Sequence, residues 1–166
     1  MFYTQAQLLN YLLTHNVSYQ LYTHDPVFTC EQASSLAYLD MPGVGIKNLF
    51  LKDDQKNLFL VCAVFDTRID LKSFGQNLGL RNVRFADETL LMKYLGVEPG
   101  SVTPLALIND TTQAVQVILD TAILQHRFIQ IHPLKNDATV VLSPADLVRF
   151  LGFTNRPYLT YDFTMN

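Results

Sequence analysis

Two apolar runs, Ile46–Leu51 and Leu58–Phe65, flank the polar stretch Lys52-Asp53-Asp54-Gln55-Lys56-Asn57, and no other feature constrains the chain as much. Apolar runs joined by a short polar loop read as a β-hairpin, so a sheet must form around it. Pro42, Gly43 and Gly45 break the chain just before the first run. The remaining segments carry helix-start signals. Thr4 precedes Leu8, Leu9, Leu12 and Leu13 at helical spacing. Thr29 with Gln32 has the form of a capping box and opens a helix to about Tyr38. Asp70 precedes Leu71, Phe74 and Leu78, with a stop near Gly79, and Asp87 precedes Leu90, Leu91 and Tyr94, ending at Gly96. Ser143 followed by Pro144 starts a last helix over Ala145–Leu151. Further short strands are expected at Tyr19–Tyr22, Val83–Phe85, Leu105–Ile108, Val115–Leu119, Phe128–Ile131 and Thr139–Leu142. Helices and strands mix without strict βαβ alternation, which predicts an α+β domain with a mixed or largely antiparallel sheet.

The chain's 166 residues suffice for one core and are too few for two domains of ordinary size. The expected domain runs over residues 1–152, and the aromatic tail 153–166 has no period that assigns it. Apolar residues make up 49% and charged residues 16%, a globular composition. A net charge of −3, with lysines and arginines scattered, argues against coating nucleic acid through counterion release and leaves room for a local contact with one nucleotide end. Cys30 and Cys62 are far apart without CxxC spacing and read as two buried free thiols in a reducing cytosol, with a structural disulfide as the alternative. Met1–Gln7 lacks a basic segment followed by an apolar one, and no run reaches the roughly 18 apolar residues of a membrane span. A cytoplasmic soluble domain without a membrane partner is expected.

Dinucleotide, P-loop, zincin and nucleophile-elbow motifs are absent. His15, His24, His126 and His132 do not fall at metal-ligand spacings, so neither metal nor cofactor is expected. Three segments place polar groups where the pattern expects apolar ones. Lys47 and Asn48 sit at the mouth of an apolar strand after a glycine-rich turn, and suit either a solvated strand start or a cation held for a phosphate. Gly100-Ser101-Val102-Thr103-Pro104, framed by Pro99, suits either a plain connection or a loop aiming backbone N–H groups into a cleft. His132-Pro133-Leu134-Lys135-Asn136 ends a strand with a histidine and a turn-forming asparagine.

In order, His24-Asp25-Pro26-Val27 with Thr29, Lys47-Asn48-Leu49-Phe50-Leu51, Phe85-Ala86, Gly96 to Pro104, Asn109-Asp110, Asp120, and His132-Pro133 with Asn136 resemble the prolyl-tRNA editing family, the YbaK-like aminoacyl-tRNA deacylases, over about Gln5 to Phe150. The Lys-Asn-Leu-Phe-Leu strand and the Gly-Ser-Val-Thr-Pro loop look like its alanine-specific branch. The resemblance implies a mixed, partly barrel-like sheet flanked by helices, with a cleft for the tRNA acceptor end and its terminal aminoacyl-adenosine. It implies hydrolysis of alanyl-tRNA(Pro) by a water helped by a ribose hydroxyl, with no metal or protein nucleophile. Lys47 would hold the phosphate or ribose region, and Gly100, Ser101 and Thr103 would supply the catalytic loop's donors. Asn48, Ile46, Phe28, Thr29, His132 and Asn136 would line the substrate pocket. A cysteinyl-tRNA(Pro) deacylase and a non-catalytic tRNA-binding module are the alternatives, and prolyl-tRNA synthetase is a further candidate partner.

Overall fold

The computed structural model describes residues 1–165, apart from the side chains of Cys30 and Tyr38. The hairpin forms as expected: β2 (Val44–Lys52) and β3 (Leu58–Val64) pair antiparallel, with Asn48 opposite Cys62 and Lys47 opposite Ala63. The tight loop between them is held by Asp53, whose carboxylate accepts from the Gln55 and Asn57 amides. Those bonds hold the Asp53 carboxyl below the usual carboxylate range, against the opposing effect of desolvation.

Around this hairpin the other strands are β1 (Gln20–Thr23), β4 (Arg84–Phe85), β5 (Val115–Asp120), β6 (Ile129–Ile131), β7 (Ala138–Leu142) and β8 (Tyr158–Tyr161). The sheet order is β1-β7-β6-β2-β3-β5-β8, with β4 added to β2. The β2–β6, β3–β5 and β5–β8 pairs are parallel and the rest antiparallel, so the sheet is mixed. One edge of β2 changes partner along its length. Val44 and Gly45 face β6, Leu51 and Lys52 face β4, and Ile46–Phe50 lie between the two pairings.

β3 is apolar on both faces because both are covered. Leu58, Leu60 and Cys62 join a core with Leu8 and Leu12 of α1 (Gln5–Thr14), Leu91 and Leu95 of α4 (Glu88–Leu95), and Leu147, Phe150 and Leu151 of α5 (Pro144–Phe153). Phe59, Val61 and Ala63 join a second core with Phe74 of α3 (Leu71–Asn77), Ile118 and Phe163. Each fully buried large side chain contributes about 1.5–3 kcal/mol, so two filled faces fix the register of this strand. Cys62 is a free thiol inside the first core, where burial raises its pKa. The expectation for Cys30 lies outside the described residues.

The caps sit where the residue types put them. Thr4 forms a complete capping box with Gln7, and Asp70, Asp87 and Ser143 each accept from first-turn amides. Gly96 ends α4 with φ +63°, a left-handed conformation that glycine adopts without strain. α2 (Cys30–Ser34) is shorter than expected, because the chain tightens into a 3-10 turn over Ser35–Leu39. Two further differences stand out. Leu105–Ile108 is not a strand but part of a 3-10 helix, Pro104–Asn109, opened by Pro104 and by the Thr103 hydroxyl accepting from the Leu105 amide. A short apolar run buried all round has no period to separate the two forms. The aromatic tail adds β8 to the sheet beside β5 and packs Phe163 into the second core. Among the described residues no helix is long and apolar enough to cross a membrane.

Candidate functional site

Where β2 leaves β6, a cavity of about 260 Å³ opens against Ile46, Lys47, Asn48, Gly100, Val102 and His132. Phe28 and Thr29 form its outer rim, so seven of the ten residues singled out in the sequence converge there. An adjoining compartment of about 150 Å³ shares Val27, Ala33, Ile46, Phe65 and His132 with it and is otherwise largely apolar. Wider clefts of about 450 Å³ beside the N-terminus and about 740 Å³ along α4 contain none of these residues.

Lys47 and Asn48 leave β2 on opposite faces, yet both border the cavity, because the edge of β2 away from β3 has no strand beside it at that point. The Lys47 ammonium donates to the Thr67 carbonyl. None of the four ion pairs among the described residues includes it, so its charge has no carboxylate partner. Asn48 Nδ2 donates to the Val102 carbonyl at 3.0 Å, which fixes the amide's orientation. Asn48 Oδ1 is then buried with no hydrogen-bond partner. An unmade bond of that kind costs about 1–3 kcal/mol, so the atom calls for a donor.

The loop Val97–Thr103 stands over Asn48. Gly100 has φ +85°, and a Cβ there would meet the Phe28 ring at 3.4 Å and Asn136 Nδ2 at 3.7 Å, ordinary contact distances, so the backbone conformation rather than crowding is what calls for glycine. The Ser101 amide donates to the Glu98 carbonyl at 3.0 Å, and its side chain is buried. Thr103 is fully buried, and its hydroxyl oxygen accepts from the Leu105 amide. The loop therefore meets the cavity through Gly100 and Val102, with Ser101 and Thr103 behind them.

Asn136 does not line the cavity either. It clamps the rim: Nδ2 donates to the Val27 carbonyl at 3.0 Å, and the Val27 amide donates back to the Asn136 carbonyl at 3.2 Å. The Thr29 hydroxyl accepts from the Gln32 amide, as expected of a cap, but Gln32 Oε1 accepts from Phe28 rather than from Thr29. That displaced capping box holds the Phe28 backbone at the cavity mouth, where the residue is 67% exposed.

His132 Nδ1 lies 3.0 Å from the Ala138 carbonyl. A carbonyl only accepts, so Nδ1 carries the hydrogen and Nε2 the lone pair. Burial pushes the His132 pKa below the ordinary histidine value and His24 adds to this, while the Ala138 bond and Asp137 oppose it. The His24 ring, 6.5 Å away, is taken up structurally by the Asp25 carbonyl and the Thr139 hydroxyl. A depressed folded-state pKa means the unfolded chain binds the proton first, so stability falls as pH drops below about 6.5. His132→Asn is expected to lose less stability than the wild type between about pH 7.5 and 5.5 in urea unfolding. Equal losses in the two proteins would refute a neutral, buried His132.

Phe65 and Ala33, which border both compartments, were not singled out in the sequence. One ends an apolar strand run and the other sits in a capped helix, so neither differs locally from ordinary packing residues.

Residues 24–150 match the model of the aminoacyl-tRNA editing domain family. A zebrafish (Danio rerio) protein named prolyl-tRNA synthetase associated domain-containing protein 1 is 39% identical over 162 residues, 96% of this chain and 87% of its own. The prolyl-tRNA editing protein ProX of Acetoanaerobium sticklandii is 37% identical over 136 residues, covering 81% of this chain and 82% of its own. A crystal structure of a candidate trans-editing enzyme for prolyl tRNA synthetase superposes with a TM-score of 0.73 at 17% identity, over 98% of each chain, which is a likeness of fold.

Proposed function

Because this chain belongs to the aminoacyl-tRNA editing domain family, we propose that it is a deacylase that hydrolyses the ester of alanine mischarged on tRNA(Pro). The observation that carries the reading is the pairing at adjacent positions of a cation without a counter-ion, Lys47, and a buried acceptor without a donor, Asn48 Oδ1. A terminal aminoacyl-adenosine brings phosphate oxygens for the ammonium, and a ribose hydroxyl or the α-ammonium that reaches the amide oxygen once the cavity wall around it gives way.

In this reading the ester carbonyl lies toward the Gly100–Val102 backbone, and the amino-acid side chain meets Ile46 and Val27. Water adds to the carbonyl carbon, the bond to the ribose oxygen breaks, and the leaving oxygen takes the proton. An aminoacyl ester is already activated, so placing the water and stabilising the oxyanion is the main task, and one preorganised donor is worth about 10²–10³ in rate. Phe28, Thr29, Asn136 and neutral His132 shape and hold the rim and wall. The need for such an enzyme follows from pocket physics: a site built for proline rejects smaller alanine by only about 1–3 kcal/mol per missing methylene. The proposed setting is the cytoplasm, with the tRNA acceptor end as substrate and prolyl-tRNA synthetase as a further partner.

Hydrolysis of alanyl-tRNA(Pro), with prolyl- and cysteinyl-tRNA(Pro) in parallel, tests this. Rapid loss of alanine with proline spared is expected. Faster loss of cysteine would move the substrate to the cysteinyl ester, and no loss of any ester would overturn the deacylase reading in favour of a binding module.

A further inference from the structure

Asp120, the last residue of β5, is 2% exposed and ends among three donors. Its Oδ2 accepts from the Thr67 hydroxyl at 2.9 Å and from the Val64 amide at 3.4 Å, and its Oδ1 accepts from the Ala122 amide at 3.0 Å. Val64 ends β3, and the Thr67 amide closes the following turn by donating to the Val64 carbonyl at 2.9 Å. Thr67 thus receives its position from a buried carboxylate through its hydroxyl, and its own carbonyl receives the Lys47 ammonium.

A lysine side chain has four rotatable bonds and a compact charge, and left to itself spreads over many positions. A cation that must meet an anion at one place needs a fixed acceptor to hold it, preferably a neutral one that leaves its charge undischarged. The Thr67 carbonyl meets both conditions, and a carboxylate in its place would compete with the substrate's phosphate for the same ammonium. The buried Asp120 charge stands one residue removed from Lys47, anchored by backbone and hydroxyl hydrogens.

We infer that Thr67, fixed by Asp120, is a positioning residue that sets where the Lys47 ammonium stands at the cavity edge. Neither residue borders the cavity, so each acts through Lys47. The inference rests on the deacylase reading for its kinetic consequence only, since the placement of Lys47 can be read without substrate.

Thr67→Val removes the hydroxyl at nearly constant shape, and Thr67→Ser restores it. Asp120→Asn is the poorer probe, because an amide nitrogen would face a donor on either side and the fold itself would weaken. Two measurements on the full-length chain are informative. In NMR spectra of the lysine Nζ–H groups, the Lys47 signal, assigned by its loss in Lys47→Arg, is expected to be resolved in the wild type and in Thr67→Ser. It is expected to merge with the exposed lysines in Thr67→Val. In deacylation of alanyl-tRNA(Pro), Thr67→Val is expected to lose about tenfold in kcat/KM, mostly through KM, with Thr67→Ser within about threefold of wild type.

An unchanged Lys47 signal in a folded Thr67→Val protein would overturn the inference whether or not the chain is a deacylase. A wild type without activity would overturn the functional reading alone, with the NMR result still deciding this one. A loss in Thr67→Val that Thr67→Ser fails to restore, with the Lys47 signal in place, would assign Thr67 a different role.

Discussion

Lys47→Ala is expected to cost about 100-fold in kcat/KM for alanyl-tRNA(Pro), the scale of one lost charge-assisted hydrogen bond, with thermal stability nearly unchanged. The stability expectation follows from what the side chain does at rest. It is half-buried at the edge of a cavity and makes one bond, to the Thr67 carbonyl, with no ion pair among the described residues. It lies in the partly exposed stretch of β2 rather than in its buried end, so truncation opens no fully internal void of the kind that costs several kcal/mol. The activity expectation follows from what that ammonium lacks: its one partner is a neutral carbonyl, and an acceptor end brings the negative charge. Lys47→Arg is expected to recover only part of the activity, because the guanidinium is planar and longer and does not fit the point the ammonium occupies. Steady-state kinetics beside a melting curve checks the pair. A folded Lys47→Ala protein with full activity would remove Lys47 from the site.

Arg156→Met is expected to do the reverse, costing about 3–5 kcal/mol of stability while leaving kcat and KM of the folded protein near wild type. Arg156 and Asp110 form an ion pair at 3.1 Å, with side chains 4% and 0% exposed. Arg156 also donates to the Leu107 carbonyl at 3.3 Å, and Asp110 accepts from the Val115 amide and the Thr112 hydroxyl. The pair ties the segment before β8 to the 3-10 helix and to the start of β5. Removing the arginine leaves a carboxylate buried without its counter-ion, which is where the large cost arises. Replacing both partners with apolar residues is expected to cost less than that, because no unpaired charge remains. For a chain of this size the single change corresponds to a drop in Tm of about 6–20 °C, readable by calorimetry. The exposed pairs Lys52–Asp87 and Arg84–Asp54 are each expected to contribute no more than about 1 kcal/mol, so a matched Arg84→Met control should barely move the melt. A melt of Arg156→Met as mild as that control would refute the reading of the buried pair.

Much of the fold was legible in the sequence because the signals that specify it are local. The Thr4, Asp70, Asp87 and Ser143 caps each act within four residues, and the hairpin is written in two apolar runs and the polar loop between them. Part of the lining of the candidate cavity was legible for a related reason: Lys47, Asn48, Gly100 and His132 are residue types that break the pattern around them, and the structure brings them to one cavity. What each residue does there was not legible. Ser101 and Thr103 sit in the expected loop, yet one amide is committed to Glu98 and one hydroxyl to Leu105, and Asn136 clamps the rim from behind.

The sequence by itself therefore determined most of the element types, many of their limits and the family to which the motifs belong. Tertiary structure decided the 3-10 form of Pro104–Asn109, the addition of β8, the Arg156–Asp110 pair and the surroundings of Lys47. The physical reason is reach. A cap or a turn is satisfied by neighbours a few positions away, whereas Lys47 meets Thr67 across 20 positions, Arg156 meets Asp110 across 46, and Asp120 meets Thr67 across 53. Contacts at that separation depend on how the whole sheet closes around its two cores, and no window of the sequence contains them.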